Sequence, residues 1–416
     1  MKPITVAIAG CGSRGQDTYA ACQERFSDKM KIVAAADIRP EKLMQMKERF
    51  GLSDDQLYSS AEEMLKAGKL ADIMIIATPD RMHYQEAMDA LKLDYHLLLE
   101  KPISPSAKEC MDIEKLATER GREVVVCHVL RYTVFYQKLK ELIDSGVAGE
   151  VMSIQAIERV AYWHQAHSFV RGNWRNAGLS TPMILQKCCH DMDILLWLAG
   201  RRCLRVSSFG SLSHFTMDHA PEGSAERCVN CPVENCAYNA VDFYIGKVRE
   251  GSLDWPVNVL TTDPTEENVM NALKTGPYGR CVYCCDNDVV DHQVVNLELE
   301  GGATINFTMC AFTKACARQI RIMGTGAEII GDMEKNTIEV LPFTGESQLI
   351  DVTTLTSDFS GHGGGDARML EDLLDLISGE GKGSALTSIS RSVESHLAAL
   401  AAEESRLNGG RVVEIY

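Results

Sequence analysis

The chain has 416 residues, 45% hydrophobic and 24% charged, which suits a globular protein of two or three domains and excludes a disordered or disulfide-dense chain. Fifty-eight acidic against 42 basic residues leave a formal charge of −16; with no Lys/Arg-rich run to offset it, that charge repels a phosphate backbone, so nucleic acid is not an expected partner. No apolar run approaches the roughly 18 residues that span a bilayer, and the start MKPITVAIAG alternates like a strand and runs into a glycine turn, so the expectation is a cytoplasmic protein with no membrane partner.

Up to residue 126 the apolar runs TVAIAG, KIVAAAD, ADIMIIATP, YHLLLEKP and EVVVCHV alternate with amphipathic stretches. That order predicts an α/β domain over 1–126: a Rossmann-type, doubly wound parallel sheet with helices on both faces. From 127 to 416 the rhythm differs. A helix is predicted over Phe135 to Asp144 and a strand over Val151 to Val160, followed by an aromatic, histidine-rich loop and an irregular Cys-rich insertion at about 213–286. The text VVDHQVVNLELEGGATINFTMCAF then reads as a hairpin about EGGA, and RQIRIMG, GAEIIGD and TIEVLPF as further strands. The second domain is therefore expected to be an α/β unit with an open-faced, mostly antiparallel sheet. It closes with GHGGGD, helices over Ala367 to Ser378 and Ile389 to Leu407, and a last strand RVVEIY.

Gly10, Gly12 and Gly15 form G-x-G-x-x-G directly after a strand and before a helix, where small residues admit a pyrophosphate to backbone N–H groups; Ser13 and Arg14 lie inside the same turn. Asp37 ends the second strand and would accept hydrogen bonds from a ribose 2′-hydroxyl while repelling a 2′-phosphate. NAD is thus favoured over NADP, a preference that nearby Arg39 moderates. Thr78, Pro79 and His83 follow the third long strand at the ligand-binding edge, with His83 either meeting the ligand or packing beneath the loop. Glu100 and Lys101 occupy the equivalent place one strand later, and Lys101 can stabilise an alkoxide beside a nicotinamide.

In LQKCCHDMDILLWLAG, His190 and Asp193 fall one helical turn apart, so His190 can act as a general base with Asp193 orienting its ring, and Lys187 can share the cavity. Cys188 and Cys189 read as small packing residues rather than nucleophiles.

These motifs resemble the glucose-fructose oxidoreductase and inositol dehydrogenase (Gfo/Idh/MocA) family: AGCGSRG, ATPDRMH, LLLEKP, HVLRY, KCCHDMDIL and GHGGGD occur in family order over nearly the whole chain. The resemblance implies a Rossmann domain followed by an open-faced α/β domain, bound NAD or NADP, dimers or tetramers, and sugars or polyols as substrates. It puts the active-site lysine at Lys101 and the histidine at His190. Many members carry an Asp four residues before that histidine, where this chain has Gln186, which leaves Asp191, Asp193 or Lys187 to assist His190.

His128, Arg131 and Tyr132 close the last Rossmann-like strand, and Glu158, Tyr162, His164, His167, Arg171 and Trp174 follow. As a set they suit a polyhydroxylated ligand, charged groups meeting hydroxyls and a flat ring meeting a C–H face. His362 and Asp366 either cap the site or shape a turn. Cys228, Cys231 and Cys236, as C-x2-C-x4-C, together with Cys281 are the preferred ligands of a structural zinc; Cys284 and Cys285 are nearby, and an iron–sulfur cluster or free thiols are the alternatives. The leading expectation is an NAD-dependent oxidoreductase acting on a secondary hydroxyl of a sugar, glycoside or cyclitol. One alternative is a redox-neutral glycoside hydrolase or lyase working by transient ring oxidation, with Glu158 or His167 as the extra acid/base; the other is a non-enzymatic sugar or nucleotide sensor. A homo-oligomer covering the open sheet is expected.

Overall fold

In the computed structural model, which describes residues 2–358, 360–381 and 383–415 and no side chain at 360 or 361, the short apolar runs of the N-terminal part become six parallel strands. They are β1 (Ile4–Ala9), β2 (Met30–Ala36), β3 (Leu57–Tyr58), β4 (Ile73–Ile76), β5 (His96–Leu99) and β6 (Val124–Val126), in the order β3-β2-β1-β4-β5-β6. Nearly every residue of β4 and β5 is buried, as a strand covered on both faces requires, which is why these segments read as continuous apolar runs rather than alternating ones. The order reverses between β1 and β4. The carboxyl ends of those two strands border the crevice in which open parallel sheets bind ligands.

A second sheet of nine strands runs β14-β13-β12-β11-β7-β10-β9-β8-β15. Its members are β7 (Val151–Arg159), β8 (Cys203–Ser211), β9 (His292–Leu299), β10 (Thr304–Cys310), β11 (Ala317–Gly324), β12 (Ala327–Asp332), β13 (Thr337–Pro342), β14 (Gln348–Asp351) and β15 (Val413–Glu414). All its pairings are antiparallel except β7 with β10, and β9 and β10 form the hairpin expected about EGGA. Burial alternates along β9 and β10. Val295, Leu297, Ile305 and Phe307 pack against the helices Cys189–Ala199 and Ile389–Leu407 through Met192, Leu195, Ala398 and Ala402. Each such large side chain withdrawn from water contributes about 1.5–3 kcal/mol.

The end of the chain returns to the first sheet. Met369, Leu370, Leu373 and Leu374 of the helix Ser360–Ser378 enter the core beneath β1 and β4, Ile389 and Val393 enter the core on the opposite face, and the Val126 N–H donates to Thr387 O at 2.9 Å. One cut near residue 126 therefore does not separate the two cores.

The segment 213–286 departs from the expectation of irregular backbone. It contains two helices, Ala240–Arg249 and Glu266–Thr275, capped by the side chains of Asn239 and Thr265 and packed through Tyr244, Ile245, Val269 and Leu273. Their apolar residues do recur at helical spacing, Ala240 with Tyr244 and Val269 with Leu273, but the surrounding Pro, Gly and Asn mask that signal.

Candidate active site

The glycine turn is built as a close approach. Gly10 adopts a φ of +87°, and a Cβ there would stand 2.5 Å from Ala77 O; one on Gly15 would collide with Gly10 O. At Gly12 the space is open, with only Arg39 Nη2 at 3.8 Å from where a Cβ would be. The helical segment Ser13–Ala20 starts there, so backbone N–H groups face the room that a pyrophosphate needs. Asp37 accepts from Cys11 N at 2.8 Å and from Arg39 N and Nε at 2.9 and 3.0 Å. Burial alone would raise its pKa, but these donors hold the carboxyl below its ordinary value, so an anionic acceptor stands at the end of β2. The residues present fit a dinucleotide.

Two residues expected at the cofactor are committed elsewhere. Arg14 donates to Glu100 Oε1 at 2.6 Å, to Asp366 Oδ1 at 2.7 Å and to the Tyr19 hydroxyl, so its guanidinium joins the glycine turn to the Lys101 loop and the C-terminal helix. The buried His83 ring lies between two backbone carbonyls, Pro102 O at 2.8 Å and Thr78 O at 2.9 Å, and so positions both loops from behind. Thr78 itself donates to the buried Glu86 at 2.6 Å.

Lys101 Nζ donates to Gln186 O at 3.0 Å and to Gln186 Oε1 at 3.1 Å. Gln186 in turn donates to Asp80 Oδ2 at 2.7 Å, which also accepts from Ser180 Oγ at 2.6 Å. The amide that replaces the family's usual Asp thus relays between Lys101 and a carboxylate of the first domain. His190 begins the helix Cys189–Ala199 and is nearly buried. Burial, then the charge of Lys101 and the neighbouring His128 and His362, hold its pKa well below the ordinary imidazole value. It is neutral at neutral pH, able to accept a proton, and its Nδ1 has no hydrogen-bond partner among the described residues.

Asp193 does not orient His190. It forms a buried bidentate pair with Arg131, at 2.7 and 2.6 Å, and that guanidinium also reaches Leu386 O; Tyr132 donates to Asp372 at 2.7 Å. Arg131, Asp193 and Tyr132 therefore join the last Rossmann strand to the C-terminal helices rather than meet a substrate. His128 lies edge-on to His190 and to His396, ring centroids 5.9 and 5.3 Å away, with neither ring nitrogen bonded among the described residues. The residue that engages Asp191 is Arg318 of β11, at 2.8 and 3.1 Å, and the same guanidinium lies 3.0 Å from Glu158, whose other oxygen is 3.0 Å from Lys187 Nζ. Two cations and two carboxylates alternate in this buried group, with His164 Nδ1 above it, 3.5 Å from Cys316 Sγ. Arg318, Cys316 and His396 have no motif around them, and strand pairing brings the first two to the site, whereas Asp80 lies within the ATPDRMH motif without being one of its expected site residues.

His167 and Arg171, expected at the substrate, serve the insertion. The Nδ1 of His167 is 2.6 Å from the Tyr244 hydroxyl and its ring stacks on Tyr278 at 4.7 Å, while Arg171 donates to Arg280 O and Tyr238 O at 2.7 and 2.6 Å. Trp174, 37% exposed, packs only against Phe169 among the rings of the described residues and stays on the outside. Cys228, Cys231, Cys236 and Cys281 border one cavity of about 20 Å³, drawn together where Arg227 pairs with Arg280. Even so, among the described residues no three His, Cys, Asp or Glu side chains converge as metal ligands, so the expected zinc finds no support in this arrangement.

Residues 4–128 match the model of an oxidoreductase family with an NAD-binding Rossmann fold, and residues 140–415 match that family's C-terminal α/β domain. The chain belongs to the Gfo/Idh/MocA oxidoreductase family. YteT of Bacillus subtilis is 25% identical over 393 residues, which are 88% of each chain. Inositol 2-dehydrogenase of Burkholderia ambifaria is 27% identical over 199 residues, 47% of this chain and 55% of that one. Among solved structures, the WlbA dehydrogenase of Bordetella pertussis in complex with NADH and UDP-GlcNAcA superposes with a TM-score of 0.72 over 99% of this chain and 98% of its own, at 16% identity, a likeness of fold alone. For this Gfo/Idh/MocA chain, no helix among the described residues is long and apolar enough to cross a membrane.

Proposed function

We propose that this oxidoreductase oxidises a secondary hydroxyl of a sugar, glycoside or cyclitol with NAD. What supports the reading is that Lys101, which follows β5 at the carboxyl end of the parallel sheet, exerts its charge on a buried, neutral His190. The nicotinamide, when bound at that edge, supplies the hydride acceptor. His190 receives the hydroxyl proton on its imidazole, which its depressed pKa keeps free to accept. The Lys101 amine stabilises the alkoxide as negative charge develops, and Gln186 holds that amine in place through two hydrogen bonds. Glu158, Lys187, Asp191 and His164 line the side on which further hydroxyls would lie. The names of the relatives, an inositol dehydrogenase and a structure titled with a uridine diphosphate sugar acid, support a polyhydroxylated substrate. A dimer or tetramer covering the more open sheet face, where Leu204, Phe209 and Leu349 are exposed, belongs to the same reading.

The test is NADH absorbance with excess NAD and a panel of free sugars, cyclitols and glycosides. A continuing rise with one of them, lost on Lys101→Ala or His190→Ala while the far-ultraviolet circular dichroism is unchanged, is the expected result. Normal turnover in both variants overturns the assignment. Release of an aglycone without net NADH identifies redox-neutral cleavage, and tight sugar binding without hydride transfer a sensor.

A further inference from the structure

The insertion contributes more than its own small core. β7 ends at Arg159, and two residues later Ala161 adopts a φ of +70°, which is strained for an alanine and turns the chain sharply into Tyr162–His164. The turn is pinned on both sides, Ala161 N donating to Thr313 Oγ1 at 3.0 Å and Tyr162 N to Thr313 O at 2.9 Å. It stacks Trp163 on Phe243 of the insertion at 5.6 Å and on the neighbouring His164 at 5.5 Å, so that this indole is already covered, and tilts it against Trp255 at 5.6 Å. Trp255 also meets His164 edge-on at 5.0 Å. None of the ring contacts of Trp255 is a stack, and 43% of its surface is exposed. The Trp255 indole therefore keeps a surface open to solvent on which no ring is stacked among the described residues.

What adjoins it indicates the occupant. His164 reaches Cys316, and Cys316 precedes by two residues the Arg318 that clamps Asp191, the residue beside His190. Trp255 thus adjoins, through His164 and Cys316, the stretch of chain whose Arg318 joins the ion-pair group of Glu158 and Asp191. Pyranose rings present one apolar C–H face and a rim of hydroxyls, for which the Trp255 indole suits the face and the adjoining His164 imidazole the rim. We propose that Trp255 forms a second sugar subsite, so that the substrate is a glycoside or oligosaccharide whose oxidised ring lies at His190 and whose neighbouring ring stacks on the insertion. This deepens the functional reading above and rests on it.

The experiment uses matched pairs of probes: glucose with cellobiose, galactose with lactose, xylose with xylobiose, and myo-inositol with galactinol. Each is titrated into the NAD-loaded protein, and both tryptophan quenching and NADH formation are followed. For at least one pair the disaccharide is expected to saturate the quench at about a tenfold lower concentration than the single ring, the worth of one good aromatic contact. Trp255→Leu removes that advantage and Trp255→Phe keeps part of it, with circular dichroism confirming the fold of each variant. Equal midpoints in every pair, an advantage that survives Trp255→Leu, or no quenching by any probe overturns the subsite. The two readouts separate the claims: Trp255-dependent binding with no NADH from any pair leaves the subsite standing and removes the oxidoreductase reading, whereas NADH formation indifferent to Trp255→Leu does the reverse.

Discussion

The cleft at the carboxyl edge of the first sheet and the contact between the insertion and the Gln165–Arg171 segment both bury histidine and arginine, yet they treat them oppositely. In the insertion contact His167 and Arg171 find a hydroxyl and two carbonyls, so their burial is satisfied within the protein. In the cleft, the His190 Nδ1 and both nitrogens of His128 have no hydrogen-bond partner among the described residues. An unmade buried hydrogen bond costs about 1–3 kcal/mol, so the clustering of three such imidazole nitrogens beside Lys101 calls for an explanation that the satisfied His167 and Arg171 do not. From sequence alone the two sets look alike, each a scatter of His and Arg near aromatic residues. Their partners distinguish them.

The sharpest way to break this comparison is by kinetics and stability in parallel. Lys101→Ala and His190→Ala should each lower kcat on the substrate that the panel identifies by about 10²–10⁴-fold, the range of a lost acid/base group, with little loss of melting temperature. Arg131→Leu should do the opposite, since it strands a buried Asp193 carboxylate: denaturant titration should show a loss of about 3–5 kcal/mol. If Arg131→Leu lost activity with its stability intact, the division between chemistry and architecture would fail.

Acid should reveal the cost of the neutral histidines. Buried His128 and His190 have pKa values pushed well below the ordinary one, and His167 and His396 are pushed down to about 3, in each case mainly by burial. Below about pH 6.5 the unfolded chain binds protons that the folded chain does not, so stability falls with falling pH, by about 1.4 kcal/mol per pH unit for each such histidine, and for His167 and His396 the fall continues to about pH 3. Urea midpoints across that range measure the slope, and His167→Gln should make it shallower.

The smallest expected effect concerns the cofactor. Asp37→Ala removes an anionic acceptor and should weaken NAD about tenfold while narrowing its advantage over NADP, read from fluorescence titrations of the two reduced dinucleotides.

Most of the fold was legible because its signals are local. Continuous apolar runs mark the buried parallel strands, alternation marks β9 and β10, and the Ile389–Leu407 helix falls within the expected bounds. The helices of the insertion were obscured by the Pro, Gly and Asn that border them, and the short edge strand β3 owes its form to its neighbour rather than to propensity, whereas the last strand, β15, falls within the expected RVVEIY. For the site, Gly10, Asp37, Lys101 and His190 stand out because each follows a strand or opens a helix. Arg318 does not, because nothing near it in the chain predicts that strand pairing sets it against Asp191, 127 residues away. The same limit explains why Asp193, correctly spaced for His190, is instead taken by Arg131.

Arg14, Glu100 and Asp366 meet at one guanidinium, and Thr387 completes the edge at Val126. During synthesis the loop bearing Lys101 therefore leaves the ribosome long before two of its restraints exist. At roughly 5–20 residues per second, the more than 250 residues between β6 and Thr387 take on the order of ten seconds or more. Through that interval the first sheet lacks part of the hydrophobic cover on both faces.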